Sequence, residues 1–285
     1  MFCAFLKKRS VISLIGDDTI DFLQGLISKD AKLLAENKSV YAALLSPQGR
    51  FLHDFFLVPW QGKIFIDVQA ERANDLYSRL RLYKLRSKVE ITMEDSLAVA
   101  ALWDGELDLD EQAVCKIYQD PRLPEIGYRM LATRNAIVDY SAQHKCAIAE
   151  EGEYEIFRLS LAVPDTCDMI VEKSLLLECG FEELHGVDFS KGCYVGQEVT
   201  ARSKFRGQVR KSFYKIKSDS TMPAFGEKII SGERNIGEVR TSQGNIGLAL
   251  LYNEEYETAQ KSGEEFIASG IKLSVSPVPW INYSK

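Results

Sequence analysis

Several features that would classify a protein at a glance are missing from this chain. No uninterrupted apolar run approaches the ~20 residues that a membrane-spanning helix needs. The opening MFCAFLKKRSVISLIG turns charged before a secretory core could form. A cytoplasmic protein with no membrane partner is the expectation. There is no CxxC pair: Cys3, Cys115, Cys146, Cys167, Cys179 and Cys193 lie scattered, which fits reduced thiols better than a disulfide framework. GxSxG, HExxH and phosphate-loop patterns are absent, as are tandem repeats and low-complexity segments. A basic surplus is lacking too, with 35 Lys and Arg against 41 Asp and Glu. General nucleic-acid binding is therefore not expected, because phosphates are neutralised by cations.

What is present is ample core material. The 285 residues are 46% hydrophobic, enough for two domains or one large domain with a satellite. VISLIG (11–16) reads as a strand, and the following DDTIDFLQGLISKDAKLL places Ile20, Leu23, Ile27 and Leu34 at helical spacing. Residues 41–68 alternate strand-like runs around the turn signals SPQG and WQGK, as a hairpin or meander does. A helix carrying Leu76, Leu80 and Tyr83 on one face follows, ending in a strand over 88–92. SLAVAAL and AVCKIYQD read as further strands, and 136–162 as largely helical with a break at Gly152. Strands and helices mix without a barrel or doubly wound repeat, which indicates α+β. From Lys211 onward, short β-rich runs separated by Gly, Asn and Ser predict a small β-barrel or sandwich. The expected division is 1–207 and 208–285.

The chemically suggestive stretch is KGCYVGQEVTAR, residues 191–202. Gly192 and Gly196 supply backbone freedom, and VGQEVTARSKFRG reads as a helix capped by Gly207. Cys193 then lies just before a helix N-terminus and two residues from Lys191, both of which favour thiolate. It is the best candidate for a reactive thiol, with an inert loop cysteine as the equal alternative. Lys191 is the expected activating charge, Tyr194 a wall of the site, and Gln197 and Glu198 polar anchors; Glu198 and Arg202 fall at i, i+4. His185 and Cys179 have no zinc or iron–sulfur spacing to Cys193, so no permanently bound metal is expected.

Two more features stand out. Residues 202–217 hold Arg202, Lys204, Arg206, Arg210, Lys211, Lys215 and Lys217 with no acid, either a strip for an anionic ligand or a solvated edge. SPQGRFLHD sets Arg50 and Asp54 beside a glycine turn, either as ligand anchor and general base or as turn support.

KGCYVGQEVTAR, LIGDDTIDFLQGLISKD and LLSPQGRFLHDFFL together resemble the YgfZ/GcvT-like folate-binding family over nearly the whole chain, in order. KGCYxGQE is specific to its YgfZ branch. The resemblance implies a three-part ring like that of the glycine-cleavage T-protein, closed by a C-terminal β-barrel, with tetrahydrofolate in a central funnel. It implies a role in synthesis or repair of iron–sulfur clusters in client enzymes, including tRNA-thiolating ones, with Cys193 needed. Folate and iron–sulfur client or assembly proteins are the implied partners. Arg50, Asp54, Arg206 and Arg210 are the expected folate contacts. The rival reading is a folate-dependent aminomethyl- or methyltransferase, because Asp54 matches the T-protein aspartate that acts on the folate amine.

Overall fold

The computed structural model describes residues 1–107, 114–207, 209–281 and 283. Three β-bodies form the molecule. One sheet has the order β10 (Ala147–Ile148), β1 (Phe2–Phe5), β7 (Leu97–Trp103), β9 (Tyr128–Thr133), β8 (Cys115–Gln119). The second runs β3 (Val40–Leu45), β4 (Phe51–Trp60), β5 (Lys63–Gln69), β2 (Arg9–Ile15), β6 (Glu90–Met93). The third is a closed barrel: β11 (Lys211–Lys217), β14 (Ile246–Tyr252), β13 (Arg234–Gln243), β12 (Lys228–Ser231), β15 (Phe266–Ala268), β16 (Ile271–Pro277).

β4 explains why the bodies meet. Every residue from Phe51 to Trp60 is buried, because both faces of the sheet are covered. Alternation sends Phe55 and Leu57 to a core shared with α1 (Thr19–Gln24), α2 (Lys32–Ala35) and α3 (Ala70–Lys84), and Phe56, Val58 and Trp60 to the other side. That other side is a common core in which Val99 and Trp103 of the first sheet and Phe213, Leu248 and Leu250 of the barrel take part. The same alternation separates His53 and Asp54. His53 faces α3, bonding Asp75, while Asp54 enters the common core beside Phe56.

Some expected elements differ. The helix anticipated over 17–34 is two short ones, α1 and α2, since residues 25–31 turn inward so that Ile27 can bridge to Leu44. The break expected at Gly152 lies earlier: α4 (Arg134–Gln143) ends before β10, and Gly152 is inside α5 (Glu151–Ser160), whose start is set by a reciprocal Glu150–Glu153 capping box. Gly207 caps the C-terminal end of α6 (Gln197–Arg206) as anticipated, in extended backbone with φ −117° and ψ 162°. Within the barrel segment, α7 (Asn253–Ser262) was not foreseen. Part of AVCKIYQD, Ala113, lies outside the described residues.

Candidate functional site

All three motifs meet at the Cys193 loop. Asp188 N donates to Ser28 O, and Val195 N to Gly25 O, tying the loop to the segment after α1. Lys191 is only 8% exposed, and its ammonium donates to the carbonyls of Gln24, Ile27 and Lys29 at 2.9, 2.6 and 3.0 Å. Desolvation pulls its pKa down to about 8, against the pull of Asp30 and Asp188. Its Nζ also sits 4.9 Å from the centroid of the Tyr194 ring, a cation–π contact. Tyr194 is buried, and burial pushes its hydroxyl up to about 12. On the other flank Gly196, φ +81°, packs on the SPQG turn, where a Cβ would stand 2.5 Å from Ser46 O.

This geometry gives Lys191 a different task from the one expected. An ammonium has three donors, and all three are spent on backbone carbonyls, so none remains for the Cys193 sulfur. The residue fastens the loop. Helix α6 begins only at Gln197, with Gly196 as its cap. Gly192 is exposed, has no positive φ and would place a Cβ in open space, so the backbone freedom anticipated there is not used. Gln197 N donates to Tyr194 O, and Glu198 pairs with Arg202 at 2.7 Å on the exposed face of α6, the i, i+4 contact foreseen.

Cys193 is solvent-exposed, whereas Cys3, Cys115 and Cys179 are buried. Cys167 is also at the surface, but its thiol is crowded by Asp168 and accepts the Thr241 hydroxyl at 3.2 Å; desolvation pushes it up to about 12. Among the described residues no group of three or more His, Cys, Asp or Glu side chains is placed to hold a metal ion.

Asp54 is elsewhere, in a buried charge cluster that sequence reasoning missed apart from Asp54 itself. Its oxygens accept from Tyr41 OH at 2.9 Å and Thr166 Oγ1 at 2.6 Å. Around it, Arg9 and Arg129 converge on Asp67, each at 2.6 Å, Arg122 pairs with Asp120 at 2.8 Å, and Arg9 reaches Asp165 at 3.4 Å. The guanidinium groups of Arg9, Arg122 and Arg129 all lie over the Phe56 ring, at 5.5, 4.8 and 4.1 Å from its centroid. Burial, then the neighbouring Asp165, raises the pKa of Asp54. A carboxyl 1% exposed and held by two hydroxyls is not presented to a substrate as a general base.

The expected folate contacts do not assemble into one site. Arg50 donates to Lys173 O at 2.8 Å on the surface of the hairpin turn. Arg210 lines a cavity of about 680 Å³ at the barrel, together with Glu254, Glu255 and Glu257. Those carboxylates would repel a glutamate tail. The side chain of Arg206 lies outside what is described. The rest of the basic strip is partly engaged: Arg202 pairs with Glu198 and Lys204 with Glu182, while the Lys215 ammonium donates to Ser160 O. The residues present do not fit folate as assigned.

Superposition on known structures defines the class first. The chain matches the glycine cleavage system aminomethyltransferase T from Bartonella henselae with a TM-score of 0.76 at 16% identity, covering 98% of this chain and 86% of that one. The fold is therefore that of the GcvT-like aminomethyltransferases. Residues 210–283 match the family described as CAF17, C-terminal beta-barrel domain.

Sequence relatives narrow this further. The mitochondrial iron-sulfur cluster assembly factor IBA57 homolog of Pyricularia oryzae is 31% identical over 277 residues, 86% of this chain and 70% of that protein. The homolog from Phaeosphaeria nodorum is 31% identical, over 95% of this chain and 75% of its own length. That of Mycosarcoma maydis is 36% identical over 74% of this chain, which spans 57% of that relative. The chain belongs to the IBA57 family. The cytoplasmic expectation is overturned: these relatives are named as mitochondrial proteins, which points to the mitochondrion.

Proposed function

We propose that the protein is an accessory factor in iron–sulfur cluster assembly, and that it presents Cys193 to a partner protein as an exposed thiol on a rigid mount. The observation that carries this is the contrast within one loop. Cys193 is exposed, while Lys191 and Tyr194 beside it are buried and Gly196 is locked against the SPQG turn. Such a mount holds one sulfur in a fixed position at the surface.

The cluster is cargo in this reading. A single thiolate supplies one of the several ligands an iron–sulfur cluster requires, so the remainder come from the partner. The names of the relatives, iron-sulfur cluster assembly factors, and the KGCYxGQE motif of the YgfZ branch support the same role. Client enzymes of the tRNA-thiolating type are part of the proposal. The test is complementation of a strain lacking the protein, reading the activity of an iron–sulfur client enzyme with wild type, Cys193→Ala and Asp54→Asn. The proposal requires the cysteine variant alone to fail. Failure of the aspartate variant alone would establish the rival one-carbon transferase instead.

Folate binding stands as a separate proposal, supported by the aminomethyltransferase fold and the resemblance of the three motifs. Titrating tetrahydrofolate into the full chain tests it, and absence of saturable binding removes it without touching the role of Cys193.

A further inference from the structure

We propose that the C-terminal end of α3 and the turn after it form a docking surface for an anionic lipid bilayer. The segment is Arg81-Leu82-Tyr83-Lys84-Leu85-Arg86-Ser87-Lys88. The inner stripe of α3, Ala73, Leu76 and Leu80, is buried on the second sheet. Leu82, two residues past Leu80 on a 3.6-residue repeat, points the other way and is 71% exposed. Leu85 is 87% exposed. It also has φ +46°, a left-handed backbone that a leucine rarely adopts and a glycine would adopt freely. Neither leucine contributes to the core, and the second is held in a strained conformation at the tip of a turn. Strain of this kind gathers at functional positions.

The charge around these two side chains is of one sign. Residues 76–89 contain no Asp or Glu. Arg79 is paired with Asp75 at 3.0 Å, but Arg81, Lys84, Arg86 and Lys88 have no ion pair among the described residues. Two acids border the patch: Asp18 accepts the backbone N–H of Lys88 at 2.7 Å, and Glu90 is exposed at the start of β6. On a chain of net charge −6, four cations without an ion pair among the described residues, Arg81 among them resting on the Tyr77 ring, stand beside two protruding leucines as a local exception.

A lipid headgroup layer matches both halves of this chemistry. Cations settle among anionic headgroups while short apolar tips enter the layer beneath. An acidic protein would satisfy the cations but must also supply an apolar recess for both leucines. The absence of a membrane partner was expected because the chain lacks a spanning segment, and among the described residues no helix is long and apolar enough to cross a bilayer. A peripheral contact needs neither.

Co-sedimentation of the full chain with vesicles tests the proposal, using phosphatidylcholine alone and phosphatidylcholine mixed with cardiolipin. Binding is expected to the anionic vesicles only and to be released by salt. Neutralising a patch cation is expected to weaken it roughly fivefold, as in Arg86→Gln. Leu85→Gly gives a signature that a structural leucine would not: relief of the backbone strain leaves thermal stability equal or higher, while vesicle affinity falls. Absence of binding to anionic vesicles overturns the proposal, as does binding unchanged in Arg86→Gln and Leu85→Gly. If the same substitutions leave vesicle binding intact and instead impair the client-enzyme activity read in complementation, the surface is a protein interface and the lipid assignment is wrong.

Discussion

Gly49 and Gly196 meet backbone to backbone, with φ +71° and +81°, and neither can accept a side chain. A Cβ on Gly196 would lie 2.5 Å from Ser46 O and 3.1 Å from Gly49 Cα, and one on Gly49 would lie 2.9 Å from Gly196 O. The two glycines bring the hairpin turn of the second sheet and the Cys193 loop into register. This close approach of two backbones distant in sequence is why both motifs carry glycine.

Gly196→Ala is expected to cost about 2 kcal/mol or more, combining the left-handed penalty with the clash. Gly192→Ala, in open space, is expected to stay within about 0.5 kcal/mol. Thermal unfolding of the pair checks this, with a fall of roughly 4–8 °C for the first variant and almost none for the second. Equal melting temperatures would mean that the turn does not anchor the loop.

Lys191→Met removes the donors from three carbonyls and is expected to cost about 2–4 kcal/mol in denaturant unfolding. A lysine whose task was to activate Cys193 would change thiol alkylation rate and leave stability alone. Measuring both quantities on one variant separates the roles.

Much of this architecture was legible from residue patterns, and the parts that were not share a cause. The barrel announces itself by short β-runs and turn residues after Lys211, and the glycine turns by SPQG and WQGK. Local rules decide those elements. FLHDFFLVPW, by contrast, is a run buried on both faces, so no polar alternation betrays which residue looks where. Asp54 could be singled out beside its turn, but not its burial or its Tyr41 and Thr166 partners. Arg9, Arg122 and Arg129 carry no sequence signal that separates them from surface arginines, because their aspartate partners lie on other strands and loops. Lys191 was visible as a residue, but its acceptors at 24–29 are distant in sequence. Proximity to Cys193 along the chain suggested the wrong partner.

The buried cluster predicts an asymmetry between two aspartates. Arg9, Arg122 and Arg129 are matched by Asp67, Asp120 and Asp165, which leaves Asp54 as the fourth carboxyl, with its pKa raised by burial and by Asp165. Asp54 is held by the Tyr41 and Thr166 hydroxyls and, among the described residues, by no guanidinium within ion-pair distance, so Asp54→Asn is expected to cost about 1–2 kcal/mol. Asp67→Asn strips the carboxylate from Arg9 and Arg129 together and is expected to cost about 3–5 kcal/mol. Urea unfolding of both variants decides it; similar losses would show that Asp54 is ionised and contributes as an ion-pair partner.

His53 makes stability depend on mildly acidic pH. The side chain is fully buried under α3, its Nε2 lies 2.8 Å from Asp75, and Arg72 and Arg79 face the same carboxylate. Burial, then the charge of Arg72, lowers its pKa from 6.5 to about 4. Between those values the unfolded chain binds a proton at this position and the folded chain does not. Stability therefore falls as pH drops from about 6.5 toward 4, by up to about 3 kcal/mol, and is fully retained above that window. The sign is opposite to that of a histidine that gains an anionic partner and has its pKa raised. His53→Gln keeps a donor for Asp75 but removes the titration, so its unfolding free energy should lose this part of the slope between pH 6.5 and 5. Other groups contribute equally to both proteins over that range, and the difference between the two curves isolates His53. Parallel curves would mean that the ring is protonated in the folded state, with Asp75 outweighing burial.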